Sequence, residues 1–320
     1  VTLGANENYF KGEPVIPTIK FQVTATANKL EGVRLGEYDI SDPPASQEMV
    51  EQAKAAGLHF ELVDNLGYGY IGINARRVTD LNVRKGLMHL MNRYPAIETY
   101  YGELAEVIER PMSKVSWAYP QSAQAYYAFD PDRALEYFKK AGYEQVEGKL
   151  VLDGEQMRLV VGISGQGTMD HPSAAILTQM KLELEKLGGV LEIQDVSDSI
   201  LSDRLYAGEW DLWVAGWGAE IDPDMYQAYH SQGPSNYFGL QDGELDQLIE
   251  EARQTTNVAV RKEKYAQALD IVMDNAVEMP VYQRKNLYVF NPEVIDISSL
   301  PKDMSPYYTY FAEVETLRLK

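Results

Sequence analysis

Three carboxylates, Glu220, Asp222 and Asp224, lie within five consecutive positions of the chain. Two carboxylates at a fixed separation can serve as the acid and base of a glycosidase, so this cluster could do chemistry. However, Asp222 directly precedes Pro223, and an Asp-Pro dipeptide is typical of a helix start in which Asp is the N-cap. Asp224 would then lie in the first turn, where a negative charge suits the helix dipole. Only Glu220 is left without a local structural role.

The acids follow a run from Asp211 to Trp217 that is almost continuously apolar and aromatic. Such a run is typical of a strand buried on both faces of a parallel sheet, so we predict a central strand here. Trp213 is expected to pack in the core. The acidic turn then lies at the carboxyl end of a strand, where open α/β sheets usually bind ligands.

The elements around this strand predict an α/β fold. Upstream, we expect a strand over 68–74, whose alternating Gly and Tyr residues would let another backbone approach, a helix over 81–92 and an irregular region after it. The helices that follow are long enough to connect parallel strands. Hydrophobic periodicity predicts further strands over 157–163 and 190–195 and helices over 172–187, 199–206, 244–253 and 260–275.

Composition limits the possible partners. The 320 residues suffice for two domains, and 48 acidic against 29 basic residues give a net charge of −19. Phosphate binding needs clustered Lys and Arg, so no nucleic acid partner is expected. The absence of cysteine excludes thiolate catalysis, disulfide bonds and sulfur-based zinc sites. The four histidines, His59, His89, His171 and His230, lack ligand spacing, so we expect no metal and no other cofactor.

Enzyme signatures are weak. The segment Gly162-Ile163-Ser164-Gly165-Gln166 resembles a nucleophile elbow, but Gln166 stands where the Gly-x-Ser-x-Gly pattern requires glycine. We predict a plain turn in which Asp170 caps the next helix. A hydrolase that uses Glu220 with Asp222 or Asp224 stays open as the alternative function.

Several local patterns, in order along the chain, resemble the solute-binding proteins of oligopeptide ABC transporters, family 5. The matching segments are Asn6-Glu7-Asn8-Tyr9-Phe10, Leu35-Gly36-Glu37-Tyr38-Asp39-Ile40, Asn82-Val83-Arg84-Lys85-Gly86-Leu87, Phe129-Asp130-Pro131 through Ala141-Gly142-Tyr143, and Glu209-Trp210-Asp211-Leu212 with Gly216-Trp217. Each pattern is weak alone. Their order and spacing make the joint signal strong.

The resemblance implies a periplasmic-binding-protein-like α/β fold of the large oligopeptide-binding type (class II), with two lobes and a hinge. Residues 1–65 would form the later part of lobe I, residues 66–284 a complete second lobe, and residues 285–320 the return to lobe I. Family members are longer at the amino end, so we expect an N-terminally truncated fragment. The cut lobe would expose apolar surface, which predicts some self-association.

The resemblance also implies a function without catalysis. The chain would bind an oligopeptide, or another small solute such as a sugar, haem or a nickel chelate, and deliver it to the cognate ABC permease. Closure of the lobes around the ligand would be the mechanism. The expected location is extracytoplasmic, with a lipid anchor in the full-length form.

The ligand residues follow from the family pattern. The acid after the segment Trp217-Gly218-Ala219 pairs with the ligand's α-amino group in the family; here that acid is Glu220, where peptide binders often have Asp, and a solvated turn carboxylate is the alternative. Gly218, Ala219, Asn236 and Tyr237 are also expected to contact the ligand. Ligand contact and packing both stay open for Trp217, Trp117 and Tyr119. Arg284 could meet a ligand carboxylate or form a hinge salt bridge.

Overall fold

The chain is divided into two units of contacting elements in the computed structural model, which describes residues 1–218 and 220–320. The first unit consists of Val1–Asn65, Tyr101–Leu104 and Arg284–Lys320, and the second of Leu66–Tyr100 and Ala105–Gln283. The predicted ligand residue Ala219 lies outside the described residues. No helix among the described residues is both long and apolar enough to cross a bilayer.

The first unit contains short strands and two short helices. Its elements are β1 (Thr2–Gly4), β2 (Thr18–Lys20), α1 (Lys29–Arg34), β3 (Ile40–Ser41), α2 (Gln47–Ala55) and β4 (His59–Asp64). Ser46 caps α2, since its hydroxyl accepts a hydrogen bond from the Met49 amide.

The second unit holds most of the regular structure. Its elements up to the acidic turn are β5 (Tyr68–Ile73), α3 (Leu81–His89), α4 (Arg93–Tyr101), β6 (Ala105–Val107), α5 (Pro131–Lys140), β7 (Glu144–Val146), β8 (Lys149–Leu152), β9 (Glu155–Gln156), β10 (Arg158–Ile163), α6 (Ala174–Leu187), β11 (Val190–Asp195), α7 (Asp198–Tyr206) and β12 (Leu212–Trp217). After the turn come α8 (Tyr226–Tyr229), α9 (Gly243–Arg253), α10 (Val258–Asp274) and β13 (Glu278–Phe290).

Strand β12 lies inside the main sheet of the second unit, as its apolar sequence predicts. The strand order is β11-β10-β12-β5-β13. Strands β11 and β12 both run parallel to β10, whereas β5 is antiparallel to β12 and to β13. The sheet is therefore mixed rather than parallel. The predicted α/β class is confirmed.

The long strand β13 continues from the second unit into the first. Its first part pairs with β5, and the part from Lys285 to Phe290 pairs antiparallel with β4. Val289 and Phe290 also pair with β3. In the first unit, Phe290 packs in a small core whose other buried members are Ile295, Leu300 and Leu317.

The glycines of β5 make room for aromatic rings. A Cβ atom on Gly72 would lie 2.4 Å from the Trp213 ring, and one on Gly69 would lie 2.4 Å from the Tyr282 ring. The expectation that these glycines admit another backbone is therefore wrong. Trp213 is fully buried and its indole nitrogen donates to the Tyr70 hydroxyl over 3.3 Å, so its predicted core position is confirmed.

Two local predictions fail. Helix α4 occupies part of the stretch that we expected to be irregular, and it is fixed by Arg93, whose guanidinium donates to the carbonyls of Ile108 and Pro280. The N-cap of α6 is Ser173, so Asp170 does not cap this helix. The Asp170 carboxylate instead accepts a hydrogen bond from the Tyr100 hydroxyl over 3.0 Å. Both outcomes depend on residues distant in sequence.

Candidate functional site

A cavity of about 300 Å³ lies at the carboxyl end of β12, within the second unit. All three acids of the opening cluster, Glu220, Asp222 and Asp224, line it. The remaining lining residues include aromatic and small polar side chains: Tyr68, Met112, Ser113, Ser116, Trp217, Gly218, Gln227 and Tyr229. The volume is at the lower end of the range for small-molecule sites.

Two of the three acids are held by arginines. Asp222 binds the Arg261 guanidinium through both oxygens, at 2.6 and 2.9 Å. Asp224 lies 3.1 Å from Arg253 and accepts a hydrogen bond from the Tyr226 amide. The helix after the turn begins only at Tyr226, so the predicted capping role of Asp222 is wrong. The Asp222 carboxylate instead forms a bidentate, charge-assisted contact with Arg261, a residue that is distant in sequence.

Glu220 differs from its two neighbours. Its side chain is exposed, and among the described residues it makes no hydrogen bond or ion pair. It is therefore the acid of the turn whose charge is available to a ligand. The sequence analysis also selected Glu220, but for a different reason: it assigned helix-start roles to Asp222 and Asp224, whereas the structure shows that arginines bind them.

Trp217 forms one wall of the cavity. Its ring stacks on Tyr70 with a centroid distance of 6.0 Å and an interplanar angle of 12°. Its indole nitrogen is buried and has no hydrogen-bond partner among the described residues. Gly218 is exposed beside it, and a Cβ atom there would meet nothing within 4 Å. Trp217 thus both packs and lines the cavity.

Beneath the wall lies an acid that sequence analysis did not select. Glu278, the first residue of β13, is fully buried, and its Oε2 atom accepts a hydrogen bond from the Tyr229 hydroxyl over 2.8 Å. The Tyr229 and Tyr68 hydroxyls are 3.1 Å apart, and both tyrosines line the cavity. A sequence signal existed, since Glu278 interrupts an otherwise apolar run from 276 to 281.

Burial controls the protonation of this cluster. It raises the pKa of Glu278 to about 8, although hydrogen bonds from Tyr229 and Tyr68 and the nearby Trp217 indole act in the opposite direction. Burial also raises the pKa of both tyrosines, with the Glu278 charge as the next cause. Glu278 is consequently mostly protonated at pH 7.

Asn236 and Tyr237 lie outside this cavity. The Asn236 amide donates to the carbonyls of His230 and Leu240 and accepts from the Leu240 amide, so it holds the loop before α9. Tyr237 packs on Tyr206 with ring centroids 5.4 Å apart.

Trp117 and Tyr119 line a separate cavity of about 570 Å³ together with Lys114, Lys262 and Glu263. The Arg261 guanidinium lies 5.1 Å from the Trp117 ring centroid, which suits a cation–π contact. The Tyr119 side chain is buried and its hydroxyl accepts a hydrogen bond from the Glu109 amide.

Arg284 belongs to the first unit and is exposed. Its backbone carbonyl accepts a hydrogen bond from the Asn65 amide. The structure therefore gathers Glu220, Trp217 and Gly218 at one cavity and places the other described candidates elsewhere in their units. Among the described residues, no group of three or more His, Asp or Glu side chains is arranged to hold a metal ion.

Known proteins similar to this chain are binding proteins. The oligopeptide-binding protein AppA of Bacillus subtilis (strain 168) is 24% identical over 296 residues, which are 89% of this chain and 54% of that protein. Di/tripeptide-binding protein 4 of Pseudomonas aeruginosa (strain UCBPP-PA14) is 26% identical over 308 residues, 90% of this chain and 56% of that protein. The chain thus spans about half the length of these relatives.

The fold agrees with a solved structure of this kind. The oligopeptide-binding protein AppA from Bacillus subtilis, in complex with a nonapeptide, superposes with a TM-score of 0.76 at 21% identity, covering 100% of this chain and 64% of that one. This likeness confirms the periplasmic-binding-protein-like fold. The relatives support solute binding and give no support to the hydrolase alternative.

The family itself follows from a match along most of the chain. The model of the bacterial extracellular solute-binding proteins, family 5 Middle, matches residues 1–239. That stretch includes β12, the acidic turn and Trp217. This chain belongs to the bacterial extracellular solute-binding proteins of family 5.

Proposed function

We propose that this chain binds a peptide, without catalysis, and that Glu220 holds the peptide's terminal ammonium group. The observation that carries the proposal is that Glu220 alone among the three cavity acids makes no ion pair with a described residue, whereas Arg261 and Arg253 hold the other two. The peptide-binding names of its relatives support the ligand class.

The chemistry of the cavity suits such a ligand. A carboxylate that a ligand shields from water needs a cation, and an ammonium group supplies both charge and donors. Trp217 offers a flat apolar wall beside it, as peptide recognition through the backbone requires. The arginine pairs of Asp222 and Asp224 weigh against their use as an acid and base.

Calorimetry can test the role of Glu220 with matched probes. We would titrate the chain with tri-alanine and with N-acetyl-tri-alanine, which lacks the ammonium group. The free amine should bind at least roughly tenfold more tightly, because a charge-assisted hydrogen bond contributes about 1.5–3 kcal/mol. In Glu220→Gln this preference should disappear.

Glu244→Gln is the matched control, since Glu244 is an exposed acid of α9 that does not line the cavity. It should behave as the unchanged chain. Equal affinities of the unchanged chain and Glu220→Gln for tri-alanine would show that Glu220 does not bind the ammonium group.

The ligand class needs an independent measurement. Native mass spectrometry of the purified chain should show retained peptides, and a time course by liquid chromatography should show them intact. Progressive cleavage of a retained peptide would instead favour a hydrolase. A retained sugar, haem or nickel chelate would replace the peptide proposal.

We also propose delivery of the ligand to a cognate ABC permease and a lipid anchor in the full-length protein; both rest on the resemblance to this extracellular family. Pull-down of a permease by the full-length protein tests the delivery. Recovery of the full-length protein in the membrane fraction tests the lipid anchor.

Self-association is a further proposal, supported by apolar side chains such as Phe10, Val15 and Val23, which are exposed in the first unit. Light scattering over a concentration series measures it. A constant monomer mass at high concentration would contradict it.

A further inference from the structure

Behind the aromatic residues that line the cavity lies an acid that the proposed ligand contact does not use. Glu278 is fully buried below Tyr68, Tyr229 and Trp217, the three aromatic residues that line the cavity around it. These residues come from β5, α8 and β12, whereas Glu278 begins β13. One carboxyl therefore joins four elements of the second unit.

No described cation compensates a charge on Glu278. The titratable groups that face it are the hydroxyls of Tyr68 and Tyr70 on β5 and of Tyr229 on α8. Arg93 donates to the Pro280 carbonyl on the same strand, but its guanidinium is paired with Glu109 over 2.8 Å. A buried carboxylate without a cation is strongly disfavoured, so the neutral acid is the form that fits this site.

The hydrogen bonds of the cluster leave two atoms without partners. Oε2 of Glu278 is bonded to Tyr229, whereas Oε1 makes no hydrogen bond with a described residue. The buried Trp217 Nε1 atom also makes no hydrogen bond of normal geometry with a described residue, yet it lies near enough to the carboxyl to favour its ionised form. An unmet acceptor and an unmet donor thus adjoin each other without a hydrogen bond of normal geometry.

Ionisation would change this balance. A carboxylate only accepts hydrogen bonds and needs more donors than the neutral acid, which itself donates one. Trp217 Nε1 is the free donor available among the described residues around the carboxyl. To reach Oε1, the indole must shift from its stacked position on Tyr70, and it would carry the cavity wall with it.

We propose that Glu278 is a positioning residue of the cavity: as a neutral acid it holds Tyr229 and Tyr68 in place, and on ionisation it draws in the Trp217 indole. The cavity wall then has two arrangements selected by one proton. The inference rests on the proposed function only in treating this cavity as a ligand site. The coupling between Glu278 and Trp217 can be measured without any ligand.

Intrinsic tryptophan fluorescence across pH 5 to 10 tests the coupling in the ligand-free chain. We expect a change in emission with a midpoint near the Glu278 pKa of about 8. The same titration of Trp217→Phe should lack this change, which assigns the signal to Trp217. Glu278→Gln should lack it as well, because the amide does not ionise.

Tyr229→Phe provides a second variant that retains Glu278. Loss of the Tyr229 donor should move the midpoint to higher pH, since this hydrogen bond favours the carboxylate. A purely structural role of Glu278 would leave the emission of the unchanged chain independent of pH near 8.

Three results would overturn the inference: a flat titration of the unchanged chain, a change near pH 8 that persists in Glu278→Gln, or one that persists in Trp217→Phe. Circular dichroism must show that each variant is folded. If Glu278→Gln does not fold, the Tyr229→Phe shift and the Trp217→Phe loss decide the question. Since no peptide is present, failure here is distinct from failure of the proposed peptide binding.

Discussion

Glu220 lines the cavity, whereas Glu278 lies behind the tyrosines that line it, and the two acids are in opposite environments. Glu220 is exposed on the turn after β12 and has no described partner, whereas Glu278 is fully buried at the start of β13 and bonded to Tyr229. Water stabilises the first charge, and burial disfavours the second. One residue type therefore supplies an available anion at the surface and a neutral hydrogen-bonding acid below it.

Two glycines show the same contrast between an exposed and a buried position. Gly218 on the turn has free space around its Cα atom, whereas Gly72 on β5 lies against the buried Trp213 ring. The exposed turn should thus tolerate substitution at Gly218, and the buried strand should not tolerate it at Gly72. The following predictions test this difference, from the largest expected effect to the smallest.

Glu278→Gln should change the pH dependence of stability most. The pKa of Glu278 is raised in the folded state, so the folded chain binds one more proton than the unfolded chain between pH 4.5 and about 8. The free energy of unfolding of the unchanged chain should therefore fall as pH rises through this window. The loss is on the order of 5 kcal/mol at 1.36 kcal/mol per pKa unit, and Glu278→Gln should avoid it.

Urea unfolding at pH 4, 6, 8 and 9 measures this difference. The variant and the unchanged chain should be similar at pH 4 and diverge as pH increases, with the variant more stable. Parallel curves at all pH values would mean that Glu278 is ionised in the folded chain. Glu220→Gln, measured alongside, should run parallel to the unchanged chain.

Gly72→Ala should destabilise the chain by about 1–3 kcal/mol, the usual effect of overpacking a core. The new methyl group would lie 2.4 Å from the Trp213 ring, which is fully buried and cannot move away freely. Thermal and urea unfolding give the change. Gly218→Ala is the control from the exposed side, and an equal loss in both variants would contradict the contrast.

Asp222→Asn should cost about 1 kcal/mol, since it removes a bidentate contact from a mostly buried guanidinium. Asp224→Asn should cost less, because Arg253 is more exposed than Arg261 and its contact with Asp224 is a single one at 3.1 Å. Double-mutant cycles with Arg261→Met and Arg253→Met isolate the two pair energies. A larger coupling for Asp224 would reverse the assigned order.

Glu220→Gln should leave the free energy of unfolding unchanged within about 0.5 kcal/mol, as usual for an exposed side chain. Urea unfolding near pH 7 without ligand is the measurement. A clear loss of stability would show that Glu220 has a structural partner in the folded chain. The ammonium-binding role would then have to belong to another acid.

Two Asp-Pro dipeptides show when local sequence predicts a helix N-cap correctly and when it does not. Asp130 precedes Pro131, and here the structure has the cap that is typical of an Asp-Pro dipeptide, with the Asp130 carboxylate accepting from the Arg133 amide at the start of α5. Asp222 precedes Pro223 in the same way, yet its carboxylate binds Arg261, which is 39 positions away. The local signal was identical, and a distant guanidinium decided the second case.

The sequence by itself determined the elements around β12, the α/β class and the family, because apolar periodicity and local motifs depend on neighbours in the chain. Only the tertiary structure decided which acids form ion pairs or hydrogen bonds with other side chains. Arg261 and Arg253 reach the acidic turn from α10 and α9, and Glu278 reaches Tyr229 and Tyr68 from β13. Charge and protonation depend on burial and on contacts between distant segments, and the fold alone creates both.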